Sequence, residues 1–162
     1  MKTFNPISIS SKFAICGVPL RVDTYKTCSF GCAYCFSNCR KVMEFKKELQ
    51  VANLNWLGKK LKKVYVDKNV NEKDFIEMLL RDKITWHCGG MSDPFQPIEK
   101  EMRITSDLID IANKYESTIL FSTKSDTVYN ANIRPDLHSF QMSVTNTGNR
   151  KDIEPNVPDI SK

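Results

Sequence analysis

The residues of this chain best equipped for chemistry are its cysteines, six in all, of which Cys28, Cys32, Cys35 and Cys39 fall within twelve residues. Thiolates are ligands for soft metals and iron–sulfur clusters. A disulfide framework spreads its cysteines to close loops, whereas here only Cys16 and Cys88 stand apart. Metal or cluster chemistry in a reducing compartment is therefore the reading. The segment Thr27-Cys28-Ser29-Phe30-Gly31-Cys32-Ala33-Tyr34-Cys35-Phe36 has the spacing C-x3-C-x2-C. Three thiolates so close can hold three irons of one cubane four-iron four-sulfur cluster and leave the fourth iron to a non-protein ligand. Gly31 lets the loop turn tightly, and Tyr34 would lie beside that ligand. With Cys39 the pattern becomes C-x3-C-x2-C-x3-C, which would suit a closed four-cysteine site for zinc or for an electron-transfer cluster. Zinc sites usually pair two knuckles across a longer loop, and no second knuckle is present. The blandest alternative is a set of buried, inert thiols.

A second group follows further on. In His87-Cys88-Gly89-Gly90-Met91-Ser92-Asp93-Pro94-Phe95-Gln96-Pro97-Ile98-Glu99, two glycines permit close backbone approach to a ligand and the prolines stiffen the exit into a helix. A third stretch, Thr123-Lys124-Ser125, offers a movable cation suited to a carboxylate. Each has a plainer reading: Ser92 caps the turn before Pro94, Asp93 makes an Asx-type bond, Glu99 is a helix-start charge and Lys124 is a surface charge. Cys88 reads equally as a small buried hydrophobe. His87 and His138 read as structural.

These residues need elements to position them. Apolar and β-branched runs predict strands over 84–88, 118–122 and 140–145, with a fourth over 20–25. Helical spacing falls between them. Val42, Phe45 and Leu49, then Leu54, Leu57 and Leu61, predict one or two amphipathic helices with Gly58 as a weak point. Asn71 is the expected cap of a helix through Arg81, with Asp74 near its positive end. Ile104, Leu108, Ile111 and Tyr115 form the expected stripe of a helix that begins after Pro97. Alternating strands and helices argue for a parallel sheet of β/α units with its chemistry at the C-terminal strand ends. Tyr25, Cys88, Phe121 and Val144 each lead into a loop, so four loops, the last one Thr145-Asn146, should open on one face.

A length of 162 residues, 41% hydrophobic and 27% charged, suits one domain and excludes collagen-like, low-complexity and disordered classes. No apolar run reaches the roughly 18 residues of a membrane span, and the first residues lack the apolar core of a secretory signal; a soluble, cytoplasmic protein is expected. The net charge is +5, and residues 40–63 alone carry +6 against −1 for the remainder. That stretch would suit a nucleic acid or an acidic electron carrier, or it is a solvated helix face.

The C-x3-C-x2-C spacing with Tyr34 before its third cysteine resembles the radical S-adenosylmethionine (radical SAM) superfamily. The resemblance implies an open iron chelated by the amino and carboxylate groups of SAM. It also implies one-electron cleavage of SAM to a 5′-deoxyadenosyl radical that abstracts hydrogen from a substrate. Ser92-Asp93-Pro94-Phe95-Gln96-Pro97-Ile98-Glu99 and Thr123-Lys124-Ser125 are similar to the spore photoproduct lyase-like branch, often labelled DNA repair photolyases. On that resemblance Cys28, Cys32 and Cys35 hold the cluster, and Tyr34, Gly89, Gly90, Ser92 and Lys124 bind or position SAM. A flavodoxin or ferredoxin supplies the electron and nucleic acid is the substrate. The lyase's hydrogen-returning cysteine lies two residues before the serine, where this chain has Gly90; Cys88 is then the candidate for that role. The resemblance runs from Leu20 to Pro155 and implies about four β/α units of a partial (β/α) barrel that usually has six. The expectation is a fragment, or a shortened barrel completed by self-association. The rival from another class is a non-catalytic four-cysteine iron–sulfur or zinc protein.

Overall fold

The structure, a computed structural model, describes residues 1–11, 14–39, 48–126, 128, 131–145 and 151–158, with Asn38 and Cys39 described in backbone only. The basic residues over 40–47, the helix positions Val42 and Phe45, Asn146 and the Cys39 side chain lie outside the described residues. In chain order the elements are β1 (Lys2–Phe4), β2 (Ile7–Ile9), β3 (Leu20–Val22), α1 (Phe36–Cys39), β4 (Gln50–Ala52) and α2 (Leu54–Tyr65), followed by α3 (Phe75–Arg81), β5 (Trp86–Cys88), α4 (Glu99–Met102), α5 (Ile104–Lys114), β6 (Ile119–Thr123) and β7 (His138–Met142).

Strands β3, β5, β6 and β7 run parallel and lie side by side in chain order, and β2 forms one edge, antiparallel to β3. The protein is thus mixed α/β with a largely parallel sheet; among the described residues the sheet is open at β2 and β7. The period of two along each strand explains which face the helices cover. Leu20, Val22, Trp86, Cys88, Ile119 and Phe121 are sealed in the core. Between them Arg21, His87, Leu120 and Ser122 are only half-buried. Phe95, from the loop after β5, packs its ring against Phe121 and Phe140 at centroid distances of 5.3 and 6.0 Å.

The helices follow from their apolar spacing with three corrections. In α2 the Asn53 side chain caps the amide of Trp56 at 3.0 Å, and Leu57, Leu61 and Val64 share the buried face, with Gly58 tolerated inside the helix. The next helix is capped by Asp74, which accepts from the amides of Ile76 and Glu77, and not by Asn71. Only a side chain adjacent to the first turn reaches those amides; Asn71 instead donates its own amide to Glu77 at 2.8 Å. The expected single helix after Pro97 is two, broken at Arg103, whose φ of 54° lies in the left-handed region. That break rotates the buried face of α5 onto Thr105, Leu108, Ile109 and Ala112, so only Leu108 of the expected stripe is fully buried.

The pairings β1–β4 and β2–β3 went unsignalled. β1 pairs in parallel with β4, and Lys26 and Ala52 extend that contact to the residues preceding the cysteine loop through Lys26 N–H to Gln50 O (3.2 Å) and Ala52 N–H to Thr24 O (2.9 Å). His138 is structural as expected, held to Asn113 at 2.9 Å. Among the described residues no helix is long and apolar enough to cross a membrane.

Candidate functional site

The loops after β3, β5, β6 and β7 meet around one open cavity of about 140 Å3. Its lining includes Cys28, Cys32 and Cys35 from the first loop, Gly89 to Asp93 from the second, Thr123 and Lys124 from the third and Ser143 from the fourth. Residues far apart in sequence are brought together because parallel strands deliver every such loop to the same end of the sheet. At this volume, against roughly 300–1,000 Å3 for an enclosed small-molecule site, the cavity is a floor rather than a closed pocket.

Polar side chains lock the loops to one another. The Gln96 side-chain amide donates to Thr27 O at 2.7 Å while its carbonyl accepts from Ser29 N–H at 2.8 Å, so one buried side chain fixes the cysteine loop on both sides of Cys28. Ser92 Oγ donates to Tyr25 O at 2.6 Å and Ser37 Oγ to Met91 O at 2.8 Å. Asp93 accepts from Phe95 N–H (2.9 Å), Thr123 Oγ1 (2.7 Å) and Lys124 N–H (2.7 Å), which joins the second loop to the third. Glu99 is buried and binds the amides of Thr105 (2.9 Å) and Ser106 (2.8 Å), which makes it the charged cap of α5. It also accepts from Tyr25 OH. Gly31, with φ 67°, makes the turn between the first two cysteines.

The electrostatics around the thiols are uneven. Burial pushes Cys28 up to about 11, opposed by the backbone amides of Asp93 and Phe30 that face its sulfur. Burial and the Glu154 carboxylate raise Cys32, opposed by Lys124 and Tyr34. Amides aimed at a sulfur favour its thiolate, and metal binding would take the proton. Burial raises Asp93 as well. For Lys124 burial works against the ammonium, yet the Glu154 carboxylate 2.7 Å away outweighs it and holds the group above its ordinary value.

The structure thus brings Cys28, Cys32, Cys35, Gly89, Gly90, Ser92 and Lys124 to one cavity. Tyr34, expected beside the ligand, does not line that cavity; its ring is 5.5 Å from Lys124 Nζ and its hydroxyl is on Thr145 at 2.7 Å. Cys88 is elsewhere: it is wholly buried in the hydrophobic core, its thiol pushed well above its ordinary value by burial, and it does not line the cavity. Gln96 and Glu154 are the residues whose positioning roles the spacing did not disclose. Gln96 sits inside the Ser92–Glu99 motif and Glu154 inside Asp152-Ile153-Glu154-Pro155, which the family resemblance also reaches, and these are the signals that could have marked them.

Whether the donor set suits a cluster can be judged from its chemistry. Among the described residues no three His, Cys, Asp or Glu side chains converge on a point that could hold one metal ion. A single zinc needs its thiolates about 2.3 Å from one centre, whereas a cubane takes each thiolate on a different iron. Cys28, Cys32 and Cys35 line one cavity, and among the described residues they do not form a preassembled metal site. No family model, curated protein or solved structure matches this chain.

Proposed function

We propose that this chain is a radical SAM enzyme of the photolyase-like kind, in which Cys28, Cys32 and Cys35 hold a four-iron four-sulfur cluster. One observation carries the reading: the three cysteines of the C-x3-C-x2-C segment share a cavity with Gly89 to Ser92 and Lys124, the segments that the sequence resemblance assigns to SAM. The order β3, β5, β6, β7, with helices on one face, supports reading the open sheet as four units of a partial barrel.

When bound, the cluster and SAM would supply reductive cleavage to a 5′-deoxyadenosyl radical. The chain's own residues do the rest. Gly89 and Gly90 keep side chains out of the second loop, and Ser92 ties that loop to Tyr25 beside the cysteines. Asp93 holds the Lys124 backbone beside the cavity that this lysine lines. A flavodoxin or ferredoxin is the proposed reductant and nucleic acid the proposed substrate, the latter on the resemblance and on the basic stretch 40–63, whose Lys60 and Lys63 are paired with Asp74 and Glu77. DNA binding that weakens steeply with salt supports that substrate class, and no binding at low salt removes it.

Anaerobic reconstitution with iron and sulfide, reduction, addition of SAM and chromatographic assay for 5′-deoxyadenosine test the proposal. The expected result is product from the native chain and none from a Cys28/Cys32/Cys35 triple-alanine variant. A stable cluster that never cleaves SAM contradicts it.

A further inference from the structure

Segment 151–158 supplies a residue that no cysteine motif contains. Glu154 is 1% exposed, and its Oε1 gathers three donors from three different parts of the fold. These are Lys124 Nζ after β6 (2.7 Å), Thr145 Oγ1 after β7 (2.7 Å) and the hydroxyl of Tyr34, which lies between Cys32 and Cys35. The contacts on either side reinforce the same attachment. Ala33 N–H donates to Ile153 O at 2.8 Å, and Asn156 Nδ2 donates to Ser29 O at 2.9 Å. Residues 153–156 therefore grip the cysteine loop at Ser29, Ala33 and Tyr34, on both sides of Cys32.

Lys124 is committed to the same knot. An ammonium has three N–H groups, and its nitrogen lies 2.7 Å from Glu154 Oε1, 2.9 Å from Thr145 Oγ1 and 3.3 Å from Ser143 O. A ligand carboxylate reaching this lysine must share it with Glu154 or displace one of those acceptors. The cation's direction is thus set by Glu154 before any ligand arrives.

We propose that Glu154 is a positioning residue: through one buried oxygen it clamps the cysteine loop and holds the Lys124 ammonium at the edge of the cavity. This deepens, and for its cofactor consequence rests on, the reading of the cavity as the cluster and SAM site. The clamp itself is a property of the chain without metal and is testable there.

The experiment follows alkylation of individual cysteines in the reduced, metal-free chain, with exposed Cys16 as internal reference, then iron bound per chain after reconstitution. Glu154→Ala removes all three acceptances, and Cys32, 7% exposed in the native chain, should react about tenfold faster, as expected for the loss of one or two well-made hydrogen bonds. Cys16 should not change. Glu154→Gln keeps an oxygen acceptor and should restore most of the native protection, which a mere loss of packing would not predict. Tyr34→Phe provides a variant at a half-exposed side chain that leaves the core alone. It should speed Cys32 and add little to Glu154→Ala, since both open the same link. Native alkylation rates in Glu154→Ala and Tyr34→Phe overturn the proposal, whatever the iron content. Fast alkylation in the variants with no cluster even in the native chain leaves the clamp standing and refutes the cofactor reading instead.

Discussion

Replacing Gly89 by alanine should be among the most damaging single changes in the protein, and Gly90→Ala among the milder ones. A Cβ at Gly89 would sit 2.1 Å from the carbonyl oxygen of Ser122 and 3.0 Å from its carbon, and the residue's φ is +107°. Both obstacles are backbone, because Ser122 belongs to β6, the strand hydrogen-bonded to β5. Relief requires moving one strand end away from the other or changing φ. Backbone strain of this kind costs about 1–3 kcal/mol and overpacking a further 1–3. The expected total is about 3–5 kcal/mol, or roughly 10 °C in melting temperature for a domain of this size. A Cβ at Gly90 meets the Arg21 guanidinium, 3.1 Å from Nε, and that side chain can move; the expected cost is under about 1 kcal/mol. Thermal unfolding followed by circular dichroism of the two variants is the assay. A Gly89→Ala melting temperature within about 2 °C of the native value, or a larger loss for Gly90→Ala, refutes the reasoning.

Removing Asp93 as alanine strands three donors, the amides of Phe95 and Lys124 and the Thr123 hydroxyl, and should cost about 2–4 kcal/mol in urea titrations. Glu77, bonded to Lys60, Lys63 and the Asn71 amide, has its carboxyl drawn down to about 2 against the opposing effect of burial. A depressed acid stabilises the fold above its unfolded value and loses that contribution as the pH falls. Native stability should therefore drop between about pH 4.5 and 2 by about 1–2 kcal/mol more than in Glu77→Gln, as measured by unfolding at each pH. Cys88, wholly buried and with its thiol pushed up by burial, should resist iodoacetamide in the folded chain and react only on unfolding. Labelling of the folded chain at Cys88 would show that its strand opens.

What could be read without coordinates has a physical pattern. The strands after which the loops emerge were legible as apolar and β-branched runs, whose residues Leu20, Val22, Trp86, Cys88, Ile119 and Phe121 are the ones that burial on one face selects. The convergence of four loops followed from parallel order alone. The cap of α3 was misplaced by three residues because Asn71 and Asp74 are chemically equivalent candidates, and only the coordinates show which one reaches the first-turn amides. The break at Arg103 carries no glycine or proline to announce it. β1 and β4 each open on a polar residue, Lys2 and Gln50, and neither sits in an apolar run long enough to register. Glu154 falls in the Asp152-Ile153-Glu154-Pro155 stretch that the resemblance reaches, but its role was not legible because its partners Tyr34, Lys124 and Thr145 are distant in sequence, and long-range pairing leaves no local periodicity.

The central claim is that three cysteines hold a cluster with one iron open to SAM. Its most direct test is the electron paramagnetic resonance spectrum of the reduced, reconstituted protein before and after SAM, for the native chain and for Cys39→Ala. The account predicts a cluster in both proteins and a spectrum that SAM alters in both. Loss of metal in Cys39→Ala, or a spectrum indifferent to SAM, would contradict it and favour a closed four-cysteine site.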